Sequence, residues 1–153
     1  MYLDSNAQPA SSVRVQVGID AAGVAHHHVC VRALSADGQV NVSRFRVPPT
    51  LSGLRTLTKR LAPYPGVLAV AEPTSMTWLG LAVALQDAGS DLALVGSRHA
   101  ARLRGAISGK NKSDVIDADV LARAGDVFEL PRWCWLPRHS WRCGELAPAA
   151  VPL

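Results

Sequence analysis

Residues 110–122 read KNKSDVIDADVLA, so one short segment carries carboxylates at Asp114, Asp117 and Asp119 behind two lysines and a serine. In a helix, a turn of 100° per residue puts Asp114 and Asp117 on one face, whereas Asp119 lies about 200° around from Asp117. Two like charges three residues apart destabilise an isolated helix. A bound cation that offsets this repulsion is therefore one chemistry that the spacing suggests.

Two further carboxylates follow segments with strand character: Asp20 after an alternating stretch, and Glu72 after the apolar run of residues 66–71. The carboxyl ends of parallel strands share one sheet edge, so both meet Asp114 and Asp117 if the helix after residue 113 packs across that edge. Mg²⁺ prefers oxygen ligands, and two such ions about 3.5–4 Å apart promote in-line attack on a phosphodiester. We therefore predict that these four residues are catalytic and bind Mg²⁺ or Mn²⁺.

Each of these carboxylates also has a purely structural explanation. Asp20 could begin a turn, and Glu72 could end a strand at the solvent. Asp114 could cap its helix, and Asp117 lies where a helix dipole favours negative charge. The joint arrangement, and no single residue, favours the metal site.

A basic stretch precedes the carboxylates, in a chain with a formal net charge of +4 and a pI of about 9.3. Between Asp91 and Asp114 there is no acidic residue, and the cations there are Arg98, Arg102, Arg104, Lys110 and Lys112. Such a stretch is often only a solvated face. Because this one leads into the carboxylate helix, we predict that it contacts the phosphates of nucleic acid.

The hydrophobic periodicity predicts the elements that must position these residues. Alternation predicts three antiparallel strands at about residues 13–20, 27–33 and 40–47, with turns at 21–23 and 36–38. After a helix at 51–61, we predict a buried strand at 66–71, a helix at 75–88 and a short strand at 92–95. A helix at 98–104, a flexible loop at 105–109 and a helix at 113–125 follow. This order predicts an α/β fold with a mixed sheet, three antiparallel strands and then parallel strands, flanked by helices.

The composition is globular, with 48% hydrophobic and 18% charged residues, and 153 residues suffice for one domain. No apolar run reaches the roughly 18 residues of a membrane span, and residues 1–12 lack a signal pattern. We therefore predict a cytoplasmic protein without a membrane partner. Three cysteines without CxxC spacing argue against a disulfide framework and a zinc site. In a strand, His27 faces away from His26 and His28, so the three cannot ligate one ion.

The two ends of the chain lack the periodicity of its middle. We expect residues 1–12 to be disordered. From Pro131 onwards the sequence holds three of the four Trp and has neither helical nor strand period. We expect residues 129–153 to be a disordered tail, such as a frameshift would produce; a nucleic-acid-binding arm is the alternative.

Three blocks occur in order: VGIDAAGVAHHHV, AEPTSMTWLGLAVALQDAG and LALVGSRHAARLRGAISGKNKSDVIDADVLARA. Over residues 13–128 they resemble the N-terminal domain of the DEDD transposases of the insertion-sequence one-ten family. The resemblance implies a ribonuclease-H-like fold related to Holliday-junction resolvases. It implies an acidic tetrad at Asp20, Glu72, Asp114 and Asp117, and a phosphate contact at Lys112. It also implies a DNA partner, a structured RNA encoded by the element, and homo-oligomers.

Two departures from the family pattern stand out. Gly23 occupies a place where many members have lysine, and no match to the family's second, serine-bearing domain follows Phe128. The resemblance therefore implies a truncated transposase, a DNA recombination enzyme whose activity in this form is open. A non-catalytic nucleic-acid-binding remnant and a standalone junction nuclease stay as alternatives.

Overall fold

The computed structural model describes residues 13–109, 113–130 and 132–133. The strands and helices follow one another in the order β1 (Arg14–Asp20), β2 (His27–Leu34), β3 (Val40–Val47), α1 (Leu51–Leu61), β4 (Leu68–Ala71), α2 (Thr77–Asp87), β5 (Asp91–Leu94), α3 (Ser97–Ser108), α4 (Asp114–Val127) and β6 (Arg132–Trp133).

The strands form one mixed sheet in the order β3-β2-β1-β4-β5-β6. β1 pairs antiparallel with β2, and β2 with β3, so the first three strands are a meander. β4 lies parallel to β1 and β5 parallel to β4, which puts the carboxyl ends of β1, β4 and β5 at one edge. The predicted α/β fold with three antiparallel and then parallel strands is confirmed.

Alternation along β1 separates the two faces of the sheet. Val17 and Ile19 belong to a core that also holds the buried leucines of α1 and α2. Gly18 faces the other way, towards α4, and the face of the sheet that α4 covers is called the α4 face below. A second core, between this face and the last helices, contains Val70, Leu103 and Val120.

The contact between α4 and β1 depends on a glycine. A Cβ at Gly18 would lie 2.1 Å from the Ala118 carbonyl oxygen and 2.2 Å from the Ala122 amide nitrogen. Real side chains do not tolerate such distances, so only glycine allows α4 to lie directly on the strand that ends at Asp20.

The elements differ from their predicted bounds in three places. The predicted flexible loop at 105–109 is wrong for residues 105–108, because α3 continues through Gly105 to Ser108. Packing of Leu103 and Ile107 against the second core offsets the low helix propensity of glycine. Helix α4 extends to Val127, and residues Arg132–Trp133, within the predicted tail, pair antiparallel with β5.

Some predictions fall on residues that the structure does not describe. They concern residues 1–12, the phosphate contacts of Lys110 and Lys112, and the tail apart from residues 129–130 and 132–133. Over the described ranges, no helix has both the length and the apolar composition needed to cross a membrane.

Candidate active site

Two of the predicted site residues end neighbouring parallel strands. Ile19 of β1 is the register partner of Ala71 of β4, so Asp20 and Glu72 follow side by side, about 4.8 Å apart along the sheet. By the alternation of β1, Asp20 shares the α4 face with Gly18. Glu72 directly follows the last residue of β4. The sheet therefore brings two carboxylates to one edge.

The amino end of α4 brings a third carboxylate to this edge. The Ser113 hydroxyl caps the helix by accepting the Ile116 N–H at 3.2 Å, so the serine and not Asp114 is the cap. The Asp114 side chain is 67% exposed, and its Oδ2 lies 3.6 Å from Nε2 of His28. His28 is in turn the register partner of Asp20. Asp114 is thus placed over the strand ends that hold Asp20.

Asp117, one turn further along α4, is oriented towards α3. Its Oδ1 accepts a hydrogen bond from Nε of Arg104, and the two side chains are only 10% and 18% exposed. Arg104 was predicted to contact nucleic acid, but this placement makes it the counter-ion of a predicted metal ligand. A guanidinium so enclosed and neutralised is poorly placed to hold a phosphate.

The donor set fits a hard divalent cation in kind, because all four predicted ligands are carboxylates. Its geometry is less complete: over the residues that the structure describes, no three His, Cys, Asp or Glu side chains are grouped so that they could hold a metal ion. The structure brings Asp20, Glu72 and Asp114 to one edge, and it pairs Asp117 with Arg104.

Asp119 lies apart from these residues, as the helical arrangement predicts. Its carboxylate accepts two bonds from Arg44 of β3, from Nε at 2.9 Å and from Nη2 at 2.5 Å, and a further bond from the Cys30 thiol. Although burial acts to raise it, the pKa of Asp119 is lowered by the hydrogen bonds from Arg44 and Cys30. The same contacts, led by the hydrogen bond to Asp119, raise the pKa of Arg44.

The exposed cations of α3 lie at the same edge. This helix follows β5, whose carboxyl end is at the edge of Asp20 and Glu72. Arg98 and Arg102 are exposed and four residues apart, so they share one face of α3.

Sequence reasoning missed two basic residues near the carboxylates, Arg46 and His28. His28 was considered only as part of a histidine run, in which His27 in fact is buried and accepts the Ala22 N–H through Nδ1 at 3.0 Å. Strand alternation places His28 on the face opposite to His27, and this was the available signal.

The fold and the sequence both have known counterparts. A solved structure described as T. thermophilus RuvC in complex with Holliday junction substrate is similar, with a TM-score of 0.56 and 14% sequence identity. The alignment covers 78% of this chain and 100% of that chain, and it shows a ribonuclease-H-like fold. No curated protein matches the sequence. A family model named DEDD_Tnp_IS110 and described as Transposase matches residues 17–131. The chain therefore belongs to the DEDD transposase family of the IS110 type.

Proposed function

We propose that this chain is the catalytic domain of a transposase that acts on DNA phosphodiesters during transposition or site-specific recombination of an insertion element. The observation that carries the proposal is the position of Asp20 and Glu72 directly after the register pair Ile19 and Ala71, with Asp114 of α4 near His28, the register partner of Asp20. Membership of a transposase family supports DNA as the substrate.

In this proposal Asp20, Glu72, Asp114 and Asp117 hold Mg²⁺ or Mn²⁺. The bound ions supply an activated water or hydroxyl and stabilise the leaving oxygen. Asp114, being mostly exposed, is the carboxylate that incoming ligands reach first. Asp117 would hold the ion in place of Arg104, which is its partner in the structure.

The basic residues of the proposed site hold the substrate. Arg98 and Arg102 contact phosphates beside the carboxylates, and Lys110 and Lys112, which the structure does not describe, continue this surface. The solved structure of RuvC was determined with a Holliday junction, so a four-way DNA junction is a suitable probe for this chain. A structured RNA encoded by the element and a homo-oligomeric assembly are further partners in the proposal.

Calorimetric titration with Mg²⁺ and Mn²⁺ tests the metal site directly. We expect the unsubstituted protein to bind on the order of millimolar or tighter, and Asp114→Ala to abolish binding. Asp126→Ala is the matched control, because Asp126 lies at the other end of α4 in an ion pair with Arg14. Equal binding by all three proteins, or binding by none, would contradict the proposal.

A second candidate function is non-catalytic nucleic-acid binding. The ion pair between Asp117 and Arg104 favours it, because it satisfies Asp117 without a metal. Measurements of metal binding and of binding to a four-way DNA junction distinguish the two candidate functions. Binding of the junction without affinity for the metal supports the non-catalytic function. Metal affinity together with cleavage of the junction supports catalysis, and cleavage by the purified chain alone would make it a standalone junction nuclease.

A further inference from the structure

A row of four side-chain positions crosses the sheet at the edge of the candidate active site. The register pairs Arg46 of β3 with His28 of β2, and His28 with Asp20 of β1. Glu72, the residue directly after β4, completes the row at the same edge as Asp20. Arg46, His28 and Asp20 are on the α4 face, so the row runs from a cation on the edge strand β3 and an imidazole on β2 to two carboxylates at the centre.

The cationic end of this row lines a groove between β3 and the amino end of α4. The groove has a volume of about 290 Å³, and His28, Arg46 and Val115 are among its lining residues. Arg46 is exposed, and it has no ion pair within the part of the chain that the structure describes. Val115, also exposed, adds an apolar side chain beside Asp114.

Arg46 differs from Arg44, the other arginine of the groove. The Arg44 guanidinium is held by both oxygens of Asp119, so its charge is paired and two of its five N–H donors are used. Arg46 is two residues further along the same face and has its five N–H donors available to a ligand. It is therefore the cation of this groove that can bind an anion.

The spacing suits a nucleic-acid strand. Two strand steps of about 4.8 Å place the backbone of Arg46 about 10 Å from that of Asp20. The rise of a duplex along its axis is about 3.4 Å per nucleotide, so a distance of this size is on the scale of a few nucleotides of one strand.

We propose that the groove between β3 and α4 binds the phosphodiester backbone of a DNA strand, with Arg46 and His28 contacting phosphates near the bond held at Asp20. This assignment rests on the proposed function, because it takes the carboxylates as the point of attack. Arg46 and His28 lie on the β3 side of the carboxylates, whereas Arg98 and Arg102 project from α3. The substrate strand would then have basic side chains on both sides of the carboxylates.

Fluorescence anisotropy in EDTA measures this contact without metal or cleavage. The probe is a labelled four-way DNA junction, titrated with the unsubstituted protein, Arg46→Gln and Arg55→Gln at several salt concentrations. Arg55→Gln is the matched control, since it removes the same charge from an exposed position on α1, on the opposite side of the sheet.

We expect Arg46→Gln to weaken binding on the order of fivefold and to reduce the salt slope of log K by about 0.9, the value for one lost phosphate contact. Arg55→Gln should change neither quantity. Equal losses in the two variants, or no DNA binding by the unsubstituted protein, would overturn the inference. So would tighter binding of an RNA of the same sequence through Arg46, because the occupant proposed here is DNA.

The same variants separate this inference from the proposed function. Calorimetry with Mn²⁺ should give the same affinity for Arg46→Gln as for the unsubstituted protein. If the DNA contact is found but no protein binds the metal, the groove stands and the catalytic proposal fails. If the metal is bound but Arg46→Gln binds DNA normally, the catalytic proposal stands and the groove fails.

Discussion

Two of the aspartate–arginine pairs of helix α4, at Asp117 and Asp119, lie two residues apart and differ in burial and in the element that each contacts. Asp119 joins α4 to the edge strand β3 through two bonds from Arg44, and it also accepts the Cys30 thiol. Asp117 joins α4 to α3 through Nε of Arg104. The first pair has a half-exposed arginine, whereas both members of the second are largely buried.

The difference lies in how many acceptor positions each carboxylate has used. Asp119 accepts three side-chain hydrogen bonds, so its oxygens are nearly saturated and its role is to fix α4 on the sheet. Asp117 accepts one side-chain bond within the described part of the chain, and it lies near Asp114 on its helix. A carboxylate with unused lone pairs beside other carboxylates is the one that can take an ion. The Asp119 pair is therefore structural, and we propose that Asp117 is the member of the two that takes part in the metal site.

The largest expected effect comes from Gly18, because both pairs depend on the close contact of α4 with β1. We expect Gly18→Ala to lower the free energy of unfolding by about 3 kcal/mol, since its Cβ would meet backbone atoms of Ala118 and Ala122 that cannot move independently. Urea unfolding followed by circular dichroism measures it.

Gly23→Ala is the control for this substitution. A Cβ there would meet only the Thr77 Oγ1, at 3.8 Å, so its effect should stay within about 0.5 kcal/mol. Similar stabilities for the two alanine variants would show that α4 does not need the contact on which both aspartate pairs depend.

Substitution of Arg44 and of Arg104 should have different effects on metal binding. Arg44→Gln and Arg104→Gln are each expected to cost about 1–2 kcal/mol of stability without metal, because each leaves a carboxylate with fewer donors. Their effects on Mn²⁺ affinity should differ. Removing Arg104 takes a competing positive charge off Asp117 and should tighten binding about tenfold, whereas removing Arg44 should leave it unchanged.

Calorimetry on both variants measures this difference. Tighter Mn²⁺ binding by both would mean that the effect is a general one of net charge. No change in either would mean that Asp117 does not reach the ion, and the Asp117 pair would then be as structural as that of Asp119.

Local patterns in the sequence account for the parts of the site that are determined within one element. Alternation predicts the strand that ends at Asp20, and helical geometry predicts that Asp119 points away from Asp117. The capping of α4 by Ser113 is likewise a local effect. These predictions need no knowledge of how the elements pack.

Local patterns could not predict side-chain contacts between elements that are distant in the sequence. Arg44 lies 75 residues before Asp119, and their contact depends on the position of α4 over β1 and β2. Arg104 was predicted to hold phosphate because its charge, and not its orientation, is visible in the sequence. Its contact with Asp117 follows from the packing of α3 on α4. The sequence did not predict this part of α3, because the low helix propensity of Gly105 favours a loop there.

An effect confined to alkaline pH concerns Cys30, which donates to Asp119. Burial, followed by the hydrogen bond to Asp119, raises the pKa of the Cys30 thiol from 9.0 to about 12. The folded-state pKa is the higher one, so the stability that the neutral thiol contributes is fully present below pH 9. It is lost as the pH rises from 9 towards 12, by at most about 1.4 kcal/mol per pH unit.

Urea unfolding of the unsubstituted protein and of Cys30→Ala between pH 8 and 10.5 measures this contribution as a difference. The stability of the unsubstituted protein should fall more steeply above pH 9, because only its unfolded chain gains the thiolate of Cys30. The other two cysteines are present in both proteins and cancel in the comparison. Parallel pH profiles would show that the Cys30 thiol ionises as easily in the folded protein as in the unfolded chain. That result would contradict the burial of the thiol beside Asp119. A steeper profile would show that Cys30 and Asp119 are shielded from water in the folded protein. Asp117, in contrast, would contact water if its carboxylate exchanged Arg104 for a hydrated ion.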